Sequence, residues 1–100
     1  MTLDIQFVNM PTSKSMELYT RKKLEQLAKK YNAIINVAVY FKRELNEKML
    51  GRICEMNISL YGPRIFASSN EKNYELAVKN TISDLEKQLK KRKSILKPHV

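Results

Sequence analysis

The side chains of this sequence that could do chemistry are overwhelmingly cationic. Lysine and arginine number 19 against 10 aspartates and glutamates, a formal charge of +9 over 100 residues. The richest stretch is NEKNYELAVKNTISDLEKQLKKRK, residues 70–93. Beyond Glu86 no acidic residue follows, whereas Lys87, Lys90, Lys91, Arg92, Lys93 and Lys97 all do. A helix macrodipole favours a cation or two at its negative C-terminal end, and this run exceeds that need. What such a cluster does well is neutralise phosphates, because each phosphate contacted releases condensed counterions. A basic excess of this size says little about fold and indicates the partner: nucleic acid or an anionic membrane.

Other chemistries are thinly supplied. Cys54 is the sole cysteine and His99 the sole histidine, so a metal centre or a Cys–His nucleophile pair lacks the companions it needs. No cofactor, small-molecule substrate or enzymatic activity is expected. A single cysteine excludes an intramolecular disulfide and suits a reducing compartment. The start, MTLDIQFVN, lacks the basic region and long apolar run of a secretory signal. No apolar stretch approaches the ~20 residues of a spanning helix. A cytoplasmic protein is expected, with residues 1–100 as a single domain that is a monomer when free.

The elements that must position these cations follow from periodicity. Leu3, Ile5 and Phe7 alternate with Asp4 and Gln6 over residues 2–9, the pattern of a strand with one buried face. Met10-Pro11 ends it. Thr12, Ser13 and Ser15 offer N-caps to a helix reaching Tyr31, with Met16, Thr20, Leu24, Leu27 and Tyr31 inward, Arg21, Lys22 and Lys29 off that stripe, Leu18 exposed, and Asn32 as a left-handed C-cap. Residues 34–41, IINVAVYF, read as a strand presenting Ile35, Val37, Val39 and Phe41 on one face. A polar loop spans residues 42–51, and Lys42, Arg43, Lys48 and Arg52 flank or occupy it, suiting RNA contact or plain solubility equally. Residues 52–60 alternate with Cys54, Met56, Ile58 and Leu60 inward. Tyr61-Gly62-Pro63 is a turn, and Arg64 to Ser68 completes a hairpin with Ile65 and Ala67 facing the helices.

The last helix is predicted from an Asn70 N-cap to Lys93, with Tyr74, Ala77, Val78, Ile82, Leu85 and Leu89 as its apolar stripe. Lys72, Lys79, Lys90 and Lys97 stand roughly opposite. Glu75 and Glu86 sit four residues before Lys79 and Lys90, the spacing at which pairing would leave only a solvated face. The predicted fold is α+β in the order βαβββα: a four-stranded mixed sheet, its first two strands parallel through a right-handed crossover, with both helices on one face.

This chain resembles the ribosome hibernation promoting factor family, ribosome-associated translation inhibitors whose fold is related to double-stranded RNA-binding domains. The resemblance rests on Ala67-Ser68, Asn73-Tyr74, Ala77-Val78, Ile82, Leu85-Glu86-Lys87-Gln88-Leu89 and Lys91, with Ser13, Leu24 and Leu27 in the first helix and Ile34-Ile35-Asn36 opening the second strand. It covers essentially the whole chain and is to the family's short form. The resemblance implies binding to the small ribosomal subunit and its rRNA in the mRNA and tRNA channel, blocking translation and stabilising idle ribosomes. It assigns rRNA contact to Lys23, Lys87 and Lys91. The charge pattern adds Lys22, Lys29, Lys79, Lys90, Arg92 and Lys93, and Tyr31, Tyr40, Tyr61 and Phe66 are available to stack on unpaired bases. Asp84 and Gln26 stand where the family commonly has lysine.

Rival readings are a ribosome-dependent endoribonuclease toxin built on Arg52, Arg64, Tyr40 and Tyr61, and a general double-stranded RNA-binding module. The first lacks a clustered acid and base with a reason for shifted pKa values. Membrane association ranks last, because the apolar face of the last helix is needed by the sheet.

Overall fold

The computed structural model describes residues 1–44 and 50–96, with side chains through residue 92. The elements are β1 (Thr2–Phe7), α1 (Lys14–Lys30), β2 (Asn36–Arg43), β3 (Arg52–Ser59), β4 (Ile65–Glu71) and α2 (Tyr74–Leu96). They form a four-stranded sheet in the order β1-β2-β3-β4. β1 runs parallel to β2 across the α1 crossover, and β2, β3 and β4 make an antiparallel meander. This is the expected α+β arrangement.

Alternation decides which face the helices cover. Val37, Val39 and Phe41 of β2, Cys54, Met56 and Ile58 of β3, and Ile65 and Ala67 of β4 join Leu24 and Leu27 of α1 and Ala77, Val78, Leu85 and Leu89 of α2 in one core. Both helices therefore lie on the same side of the sheet, and no described element covers the other. Leu3, Ile5 and Phe7 are only half-buried, because β1 is an edge strand. Two hydroxyls of α2 help to sew it to the sheet. The Thr81 hydroxyl, fully buried, lies 2.7 Å from the Ala77 carbonyl and 3.3 Å from that of Cys54 on β3. The Tyr74 hydroxyl donates to the Lys42 carbonyl at 2.8 Å, while its ring meets Phe41 edge-on at 5.5 Å.

Several boundaries differ from the pattern reading. β4 continues to Glu71, held by register against Arg52, so Asn70 is a strand residue and not a cap. Its side-chain oxygen accepts the Gly51 N–H at 2.7 Å. Asn73 caps α2 instead, accepting from the Leu76 N–H at 2.8 Å, and Lys72 precedes the helix. α1 is capped at its start by Ser13, as expected, but it closes on Tyr31, whose N–H reaches the Leu27 carbonyl. Asn32 is not left-handed. The left-handed asparagine is Asn9 (φ 54°), in the turn that ends β1 at Phe7, two residues short of the expected boundary. Ile35 is 45% exposed and Ile34 takes the buried place, since alternation binds only residues within the pleat and β2 begins at Asn36.

Candidate nucleic-acid interface

The core stripe of α2 fixes where its lysines point. With about 100° between successive residues, Lys79, Lys87, Lys90 and Lys91 fall within an arc of roughly 120° opposite Leu85. All are exposed, and none makes an ion pair among the described residues. The pairing anticipated for Glu86 with Lys90 does not form. Glu86 turns toward α1, where its carboxylate lies 3.3 Å from the Lys30 ammonium and accepts from the Tyr31 hydroxyl at 3.4 Å. Glu75 and Lys79 likewise form no pair. The outward arc of α2 is thus left with uncompensated positive charge.

Lys22 and Lys29 lie opposite Leu24 on α1 and are exposed. Lys23 turns toward α2 instead, its ammonium 5.7 Å from the centre of the Tyr19 ring, a cation–π distance. With Lys30, Gln26, Ile82 and Glu86 it lines a groove of about 130 Å³ between the helices. Arg92 departs from the lysine arc. It follows Leu85 and Leu89 on the inward side of α2, half-buried, and its Nη1 is shielded from solvent with no hydrogen-bond partner among the described residues. That placement was legible in the spacing, although charge alone put Arg92 with the lysines. The side chain of Lys93 and all of Lys48, Lys97 and His99 lie outside the described residues.

At the far end of the sheet, Arg43 and Arg52 are directly opposed across β2 and β3, a like-charge pairing that costs stability. Neither is ion-paired among the described residues. Lys42 is committed to Glu55 at 2.9 Å. Burial raises the pKa of the Tyr74 phenol, and the charges of Arg52 and Arg43 oppose that rise. Of the candidate stacking aromatics, Tyr31 is turned to Glu86, whereas Tyr40 and Phe66 lie on the open face of the sheet. Tyr61, 84% exposed, stands at the β3–β4 turn. Tyr74 belongs to the core. Among the described residues there is no helix long and apolar enough to cross a membrane, and no group of three or more His, Cys, Asp and Glu side chains placed to hold a metal ion.

A family model described as sigma 54 modulation protein / S30EA ribosomal protein matches residues 3–97. Among solved structures, a ribosomal subunit interface protein from Coxiella burnetii is similar, with a TM-score of 0.82 and 26% identity over 94% of this chain and 99% of that one. The N-terminal domain of Protein Y from Thermus thermophilus shares the fold, with a TM-score of 0.75 and 20% identity over 91% of this chain and 98% of that one. No curated protein matches the sequence.

Proposed function

The chain belongs to the sigma 54 modulation protein / S30EA ribosomal protein family, and on that premise we propose that it is a ribosome hibernation factor. It binds the small ribosomal subunit in the channel used by mRNA and tRNA, excludes both, and stabilises idle ribosomes without making or breaking a bond. The observation that carries this reading is the unpaired lysine arc of α2, Lys79, Lys87, Lys90 and Lys91, beside Lys22 and Lys29 of α1. Both helices are held on one sheet face by a shared core, so these ammonium groups start from a fixed relief. A pre-shaped cationic surface recognises folded RNA through its backbone and form rather than its base sequence. Lys23, Arg92 and Lys93 complete the set assigned to rRNA, with Lys23 acting from the groove between the helices.

The test is co-sedimentation of the full chain with small subunits, using a variant with Lys87, Lys90 and Lys91 all changed to Glu. Loss of the variant from the subunit pellet, with its circular dichroism unchanged, is expected. Unaltered sedimentation would overturn the assignment of this surface. End-labelled mRNA added to the same mixture should be excluded intact, and fresh cleavage products would favour a ribonuclease instead.

A further inference from the structure

A cleft of about 520 Å³ opens between the β3–β4 turn and the last described turns of α2. Tyr61, Pro63 and Ile65 form one wall, and Gln88, Lys91 and Arg92 the other. The volume lies within the roughly 300–1,000 Å³ typical of small-molecule sites. We propose that this cleft seats one unpaired nucleotide of RNA, with the base against Tyr61 and the phosphate on Lys91 and Arg92. The inference rests on the ribosome-binding reading for the source of the RNA, but not for the chemistry of the seat.

Three features select this ligand. None of the described lining residues is acidic, so an anion is accepted and a cation is not. The wall made by Tyr61, Pro63 and Ile65 is apolar and aromatic, which a bare phosphate cannot use and the face of a base can. Tyr61 is the most exposed large hydrophobic side chain described, at 84%, and its hydration is lost only when something flat covers it. The third feature is Arg92. Its Nη1 is withdrawn from water and has no acceptor among the described residues, a condition that costs free energy until an acceptor is supplied. The guanidinium lines the cleft, and a phosphate there supplies an acceptor once the side chain turns outward. Gln88 is not free to close the space, because its amide nitrogen donates to the Phe66 carbonyl at 2.9 Å. Lys91 is one turn from Lys87 on the exposed arc, so neighbouring phosphates of a continuous strand have a cation to meet. A free mononucleotide has no use for that continuation.

The experiment measures binding of the full chain to a fluorescent single-stranded oligoribonucleotide and to an RNA duplex with the same number of phosphates, for the wild type, Tyr61→Ala and Tyr61→Phe. Because Tyr61 is exposed, neither substitution threatens the fold. Tyr61→Ala is expected to weaken single-strand binding about tenfold, the loss of one stacked base, while Tyr61→Phe keeps it and duplex binding is unchanged. Equal single-strand affinity for wild type and Tyr61→Ala, or an equal loss on the duplex, would overturn the proposal. Adenosine 5′-monophosphate competing as well as the oligonucleotide at equal concentration would overturn RNA as the source. Ribosome sedimentation of the wild type, run in parallel, separates the two readings: a chain that ignores ribosomes yet keeps its Tyr61 dependence refutes hibernation and leaves the nucleotide seat standing.

Discussion

Cys54 lies under Thr81, shut off from water, and burial pushes its thiol up to about 12. The reactive thiolate is therefore scarce in the native protein near neutrality, and a thiol reagent should modify Cys54 only through unfolded molecules, which a timed alkylation with and without urea would show. The same shift makes stability depend on pH. The folded pKa stands above the unfolded one, so the native state keeps its proton while the unfolded state loses it. Stability is complete below about pH 9 and declines toward about pH 12. The raised Tyr74 phenol acts in the same sense. Urea midpoints at mildly and strongly alkaline pH should fall, and fall less in Cys54→Ala. Tyr74→Phe removes the bond to the Lys42 carbonyl and is expected to cost about 1 kcal/mol, read from the urea midpoint at neutral pH.

At the scale of elements, the two asparagines before α2 illustrate what spacing reveals and what it hides. Asn70 and Asn73 both precede the apolar stripe, and both are competent caps by residue type. What separates them is the extension of β4 by its pairing with β3, a long-range effect that carries Asn70 into the sheet. Asn73→Ala should therefore cost about 1 kcal/mol through the lost cap, measured by thermal unfolding. Asn70→Ala should leave helix content alone and accelerate hydrogen exchange at Gly51. The buried stripes of both helices and the alternation of β2 and β3 were readable because apolar side chains have one place to go. Strand ends, the Ile34–Ile35 exchange and the partner of Glu86 were not, because each depends on residues distant in sequence.

For the molecule as a whole, element order, apolar periodicity and basic surplus were enough to anticipate a mixed sheet under two cationic helices. The direction of each cation was harder to read. Lys22, Lys29, Lys79, Lys87, Lys90 and Lys91 point outward, Lys23 toward a groove, and Arg92 toward the core side of α2. The outward set should dominate the salt response of binding. Changing Lys79, Lys87, Lys90 and Lys91 to Gln is expected to flatten the plot of log affinity against log salt by about 3, as anisotropy across a salt series would show. The core has one further implication, for biosynthesis. Among the described residues β1 has no strand partner other than β2, and the hydrophobic lid over β3 and β4 is α2, which follows all four described strands. A nascent polypeptide consequently presents β3 and β4 before their cover, so the greasy side of the meander is open to chaperones and to neighbouring chains until α2 follows.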